Sequence, residues 1–96
     1  MTTSTPLADP VLVLTGNVKS YEASGGGSAS NLFSFYVTNG KDDASFQLRG
    51  DTPCGMFAAM ATIVAAAYAR PKTQIQVTSC DRLSNGYYLV NLIRGA

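Results

Sequence analysis

The sequence of 96 residues predicts a single, mainly β domain with one long helix. Three observations predict this fold class: short segments in which apolar and polar residues alternate, turn residues between those segments, and one stretch without charge from Gly55 to Ala69. Hydrophobic residues make up 46% of the chain and charged residues 14%, which indicates a globular protein and not a disordered one. We expect residues 1–10 to be a flexible leader and residues 11–96 to form the domain.

Three strands are predicted before the helix. The first runs from Val11 to Glu22 and is interrupted by Gly16, and a glycine inside a strand often marks a bulge or a bend. A loop rich in glycine and serine, residues 23–30, leads to the second strand, from Asn31 to Thr38. The third strand, Ala44 to Arg49, follows a hairpin turn that begins with an Asn-Gly pair.

The helix is predicted from Gly55 to Ala69, because alanine and methionine favour helix. Asp51, Thr52 and Pro53 provide a cap at its start, and Arg70-Pro71 ends it, since the residue before a proline avoids the helical region. A helix that is apolar on all sides requires burial on all sides. One small domain covers one side, so we expect identical copies of the chain to cover the other. The predicted oligomer interface comprises Met56, Ala59, Met60, Ile63, Ala66 and Ala67.

Two strands are predicted after the helix. Thr73–Cys80 alternates, Asp81–Gly86 is a polar turn, and Tyr87–Arg94 is the last strand. Three strands, a helix and two more strands is the connectivity of the OB-fold, a five-stranded Greek-key barrel. A long, bent first strand fits this barrel, because that strand must serve both of its sheets. The alternative is an open α+β sheet with the helix on one face.

Simple helix and strand geometry predicts whether Cys54 and Cys80 can lie close enough to form a disulfide. A helix of about 22 Å and a fourth strand of about 26 Å, joined by a tight turn, should run antiparallel and bring both cysteines to one end of the domain. This arrangement permits a disulfide, which would imply an oxidising compartment; the alternative is two separate thiols. No secretory signal is visible, so the chain is either a mature secreted or periplasmic segment or a cytoplasmic protein.

The composition argues against several classes of function. The chain has no histidine, the commonest general base and metal ligand, so we predict no enzyme, no metal site and no cofactor. Seven Lys and Arg against six Asp and Glu make a nucleic-acid partner unlikely by charge alone. The uncharged run is near the lower length for a membrane span, but its alanine content and its position between strands predict that it does not span a membrane.

A candidate ligand site lies on the predicted outward face of the second and third strands. If these strands pair across the turn, Ser34, Tyr36, Gln47 and Arg49 point outward together. An aromatic ring beside hydroxyl, amide and guanidinium groups suits carbohydrate recognition. The same set also suits a subunit interface or, on an OB-fold, a bound oligonucleotide.

From Cys54 onward, the chain resembles the B subunits of pentameric bacterial toxins, in the subtilase-cytotoxin and pertussis-like branch. The resemblance rests on the order of MFAAMATIVAAAYA, RPK, TQIQVTSC, a polar turn and YYLVNLI. It implies an OB-fold, a pentameric ring with helices around a central pore, glycan binding on the outer surface and a catalytic A subunit as partner. The resemblance does not assign a sugar-contacting role to any particular residue of this chain.

We therefore expect a non-catalytic, glycan-binding subunit of a homo-oligomeric ring. Two alternatives remain open from the sequence. One is an OB protein that binds single-stranded nucleic acid, and the other is a structural oligomer or scaffold without a small ligand.

Overall fold

The computed structural model describes residues 11–26, 29–48 and 54–95, which form a mainly β domain with one helix. The predicted leader and the predicted helix cap lie outside these ranges. In chain order the elements are β1 (Leu12–Gly26), β2 (Ala29–Thr38), β3 (Asp43–Gln47), α1 (Cys54–Ala69), β4 (Ile75–Ser79), β5 (Asp81–Arg82), β6 (Tyr88–Leu89) and β7 (Leu92–Gly95).

The strands form one curled, half-barrel sheet in the order β5-β6-β3-β2-β1-β4-β7. The long strand β1 has two antiparallel partners: its residues up to Gly16 pair with β4, and those from Asn17 onward pair with β2. Gly16 stands at this changeover, where a Cβ atom would lie 2.6 Å from the carbonyl oxygen of Thr38. The glycine is therefore required by the close approach of two backbones. The irregularity in register lies further along, between Val18 and Ser20.

The hairpin between β1 and β2 is longer than predicted. Most of the predicted loop at residues 23–30 belongs to the two strands, which extend to Gly26 and from Ala29. Gly26 pairs with Ala29, so the ladder continues to the last described residues on each side. Local composition predicted a loop here, but the continuous backbone pairing of β1 with β2 outweighs the weak strand preference of glycine and serine.

The predicted last strand is divided into β6 and β7, and β5 forms where a turn was predicted, so the described sheet has seven strands and not five. β6 runs parallel to β3, whereas β7 runs antiparallel to β4. Between them, the Val90 amide donates to the Gln47 carbonyl at 3.0 Å and the Asn91 amide donates to the Thr78 carbonyl at 2.9 Å. The segment bends at these two residues because a straight strand cannot lie beside both neighbours.

One face of α1 completes the core. Val64 and Ala67 are buried, and Phe57, Met60 and Ala61 pack against the buried cluster. The rest of this cluster comes from the strands and the residues that adjoin them: Leu14, Val18, Phe33, Phe35, Val37, Ala44, Phe46, Leu48, Ile75, Val77, Val90 and Ile93.

A neighbouring side of α1 is apolar and exposed. Met56 and Ile63 expose 54% and 38% of their surface, and Ala59 and Ala66 are also exposed. We call these four residues the exposed helix stripe. The other two residues of the predicted interface, Met60 and Ala67, do not belong to it, because the helix turns them toward the sheet. Within the described ranges, no helix has both the length and the apolar character that crossing a membrane requires.

Candidate functional site

The pairing of β2 with β3 decides which side chains share the outer face of the sheet. Ser34 lies opposite Gln47, and Tyr36 lies opposite Ser45. The residues between them along each strand are buried, so these four side chains all point away from the core. Three of the four predicted ligand-site residues are thereby brought to one face. The fourth, Arg49, lies outside the described residues.

A hairpin turn at Asn39 and Gly40 holds this register. The Asn39 Oδ1 atom accepts hydrogen bonds from the amides of Lys41 at 2.9 Å and Asp42 at 2.7 Å. Gly40 has a φ angle of +89°, which glycine adopts without steric cost. The Gly40 amide donates to Thr38 Oγ1 at 3.1 Å. The turn predicted from the Asn-Gly pair is confirmed, and it aligns β2 with β3.

Strand β1 adds further residues to the same outer face. Ser20 lies opposite Tyr36, and Glu22 lies opposite Ser34. Two cross-strand rows result, one of Ser20, Tyr36 and Ser45 and the other of Glu22, Ser34 and Gln47. Sequence reasoning missed Ser20 and Glu22 because the register irregularity just before them interrupts the alternation along β1.

A surface groove of about 240 Å³ lies over these rows. We call it the tyrosine groove, and its lining residues are Ser20, Tyr21, Glu22, Ser34, Phe35, Tyr36, Ser45 and Tyr87. Tyr87, the first residue of the predicted last strand, contributes to this lining from the position just before β6. Gln47 shares the outer face but is not part of the lining. Pockets that bury drug-sized ligands measure about 300–1,000 Å³, so this groove fits a smaller group such as one sugar ring.

The Tyr36 side chain is tied to Asp43, the first residue of β3. A hydrogen bond between the Tyr36 hydroxyl and the Asp43 carboxylate raises the pKa of Tyr36 above its ordinary value of 10.0, and desolvation and the Asp43 charge act in the same direction. The phenol donates this bond while it is protonated.

The cysteines are placed only in part. Cys80 follows β4 and is half-buried, and its amide donates to Asn91 Oδ1 at 3.3 Å. Cys54 begins α1, but its side chain is not among those described, so the disulfide stays a prediction. Among the residues described, no group of three or more His, Cys, Asp or Glu side chains is arranged to hold a metal ion.

No protein-family model, curated protein or solved structure matches this chain. The likeness to toxin B subunits therefore rests on the order of sequence segments from Cys54 onward. What the described residues provide is a small groove on the sheet that is lined by aromatic rings, hydroxyl groups and one carboxylate.

Proposed function

We propose that the protein binds carbohydrate at the tyrosine groove, without catalysis, as one subunit of a homo-oligomeric ring. The observation that carries this proposal is the row of Ser20, Tyr36 and Ser45, in which an aromatic ring stands between two hydroxyl groups on adjacent strands. A sugar ring presents the complementary surface, since its C–H groups pack on an aromatic face and its hydroxyls exchange hydrogen bonds around the rim.

The polar groups of the groove suit this ligand class. A serine hydroxyl both donates and accepts, so Ser20, Ser34 and Ser45 match sugar hydroxyls in either direction. The Glu22 carboxylate accepts only, and its hydrogen bonds from hydroxyl donors are strengthened by its charge. These side chains stand on paired strands, which hold a binding site more accurately than loops do.

The strand pairings support an OB-fold as the scaffold in this proposal. β1 pairs with β2 and β4, β2 pairs with β3, and β3 runs parallel to β6. If β6 and β7 are regarded as one bent strand, the chain has five main strands, with the helix between the third and the fourth. That is the OB-fold connectivity, and the hairpin strand β5 is then an addition to it.

The exposed helix stripe supports the oligomer. Its members, Met56, Ala59, Ile63 and Ala66, follow a spacing of three, four and three residues, which aligns them along one side of a helix. None is charged, and two are small enough to allow another backbone to come close. A second copy of the chain offers the apolar surface that would cover them.

A second exposed apolar surface favours a ring over a simple two-fold dimer. Val11, Val13 and Leu92 expose 54%, 49% and 41% of their surface. Val13 and Leu92 both pair with Thr78, so they lie in one cross-strand row of the sheet. Two unlike apolar surfaces on one chain favour head-to-tail contacts, which close into rings when the rotation permits.

A ring would also compensate for the small size of the groove. A site that contacts one sugar ring binds weakly, but several sites on one ring engage a glycan-covered surface together and gain avidity. We propose a pentamer of this kind, secreted or periplasmic, with a Cys54–Cys80 disulfide. By binding a glycan-covered surface, the ring would deliver a catalytic partner chain to that surface.

The test is a glycan array probed with the purified protein and with Tyr36→Ala. We expect Tyr36→Ala to weaken binding at least about tenfold, equivalent to about 1.4 kcal/mol, because the stacking ring is lost. Lys72→Ala, in the exposed connection between α1 and β4, serves as the control and should bind as the wild type does. Thermal melting establishes that both variants are folded.

Two outcomes would contradict the proposal. One is a folded, oligomeric protein that binds no glycan, which would favour a structural scaffold. The other is binding that Tyr36→Ala leaves unchanged. Binding to a single-stranded oligonucleotide that weakens steeply with salt would favour the nucleic-acid alternative instead.

A further inference from the structure

We infer that the tyrosine groove selects uncharged sugars and amino sugars over acidic sugars, and that Glu22 determines this specificity. The inference rests on the proposed carbohydrate-binding function and adds the chemical class of the ligand. It follows from where the charged side chains of the described chain stand relative to Tyr36.

Glu22 stands beside the aromatic ring. It lines the groove, it is exposed, and it lies opposite Ser34 on the neighbouring strand. Tyr36 lies opposite Ser20, two residues earlier on β1, so Glu22 and Tyr36 are diagonal neighbours on one face. Diagonal neighbours in an antiparallel pair are about 7–8 Å apart, which is within the width of a sugar ring stacked on the tyrosine.

A second carboxylate stands on the other side of the ring. Asp43 lies opposite Thr38, one row beyond Tyr36, and its carboxylate accepts the hydrogen bond of the Tyr36 hydroxyl. Tyr36 is thus flanked diagonally by Glu22 on β1 and by Asp43 on β3. Asp43 is not part of the groove lining, so the carboxylate that a ligand in the groove meets is that of Glu22.

Among the described residues that line the groove, none is lysine or arginine, and Glu22 is the charged residue described there. Lys19 precedes the groove residues of β1 and Lys41 lies in the hairpin turn, but neither is part of the lining. A uronic or sialic acid carboxylate in the groove would therefore face the like charge of Glu22. A hydroxyl or an ammonium group in the same place donates a hydrogen bond to Glu22.

The size of the discrimination follows from Coulomb's law. Like charges about 7 Å apart at a partly solvated surface repel enough to change affinity roughly tenfold. Salt screens this interaction, because the Debye length at 0.1 M is about 10 Å. We therefore expect a preference for the neutral sugar that is larger at low salt than at high salt.

The experiment compares sugars of closely related structure that carry different charges. Glucose, galactose and glucosamine are paired with glucuronate and galacturonate, and binding to the full chain is measured by calorimetry or by saturation-transfer NMR. We expect the wild type to bind a neutral or amino sugar about tenfold more tightly than its acidic counterpart. Glu22→Gln should remove most of this difference by improving binding of the acidic sugar.

Asp81→Asn is the matched control, because it removes the same charge from β5 without touching the groove lining, and it should keep the wild-type preference. Tighter binding of the acidic sugar by the wild type, or a preference that Glu22→Gln leaves unchanged, would overturn the inference while leaving carbohydrate binding in place. Failure of every sugar to bind would instead overturn the proposed function itself.

Discussion

At the scale of single residues, Tyr36 and Asp43 are the clearest case of one side chain setting the properties of another. The carboxylate of Asp43 accepts from the phenol and raises the pKa of Tyr36. The protonated phenol is favoured in the folded chain relative to the unfolded chain. The contribution of this bond to stability is therefore fully present below pH 10, and it is lost as the pH rises through the folded pKa.

This effect predicts a late step in the alkaline titration of tyrosine absorbance. The chain has five tyrosines, and we expect Tyr36 to ionise at higher pH than a tyrosine without such a partner. Tyr36→Phe should remove the late component, whereas Asp43→Asn should keep the number of ionising groups and move that component to lower pH. A late component that persists in Tyr36→Phe would show that another tyrosine is responsible.

At the scale of elements, the joint in β1 at Gly16 and Asn17 organises the sheet. Gly16 is the position where β1 exchanges one neighbour for the other. Next to it, Asn17 Nδ2 donates to the carbonyl oxygens of Pro71 at 2.7 Å and Thr73 at 3.1 Å. These bonds tie β1 to the connection between α1 and β4. The joint thus connects the part of the sheet that carries the groove to the part formed by β4 and β7.

The joint predicts a large effect for a small substitution. Gly16→Ala places a Cβ atom 2.6 Å from the Thr38 carbonyl oxygen, and the backbone there cannot move aside without disturbing the ladder. We expect a loss of about 1–3 kcal/mol in the free energy of unfolding, measured by urea denaturation. Gly95→Ala is the control, because a Cβ atom there meets nothing within 4 Å. Equal stability of the two variants would contradict this account of Gly16.

At the scale of the whole molecule, the chain leaves apolar surface uncovered on two separate elements. The exposed helix stripe lies on α1, and Val11, Val13 and Leu92 lie on the sheet. Burial of such surface is worth about 25 cal/mol for each Å² removed from water, so both surfaces favour association. Met56 and Ile63 contribute most on the helix, because they are the large side chains of the stripe.

This surface predicts the behaviour of the chain in solution. We expect light scattering to give a multiple of the 10.1 kDa chain mass, and we expect Ile63→Lys to return the protein to the mass of one chain. The introduced ammonium would be buried without a partner in the interface, which is strongly unfavourable. Ser84→Lys, in the exposed turn before β6, should leave the oligomer intact. A wild-type protein with the mass of one chain would rule out the ring.

Local pattern determined much of this protein. The charge-free stretch predicts α1 nearly to the residue, the Asn39-Gly40 pair predicts the hairpin turn, and alternation places Phe33, Phe35 and Phe46 in the core. It also brings Ser34, Tyr36 and Gln47 to one face. These features depend on periodicity and on turn chemistry, which act over a few neighbouring residues. They can therefore be predicted from a single sequence.

Only the tertiary structure decided which groups meet from distant parts of the chain. It brought Glu22 and Tyr87 to the groove, turned Met60 and Ala67 toward the sheet, and divided the last strand between two neighbours. The physical reason is that register, helix rotation and strand exchange are set by packing and hydrogen bonding between elements. A register irregularity or a change of strand partner at one residue alters which side chains share a face of the sheet. The sequence around that residue does not indicate the change.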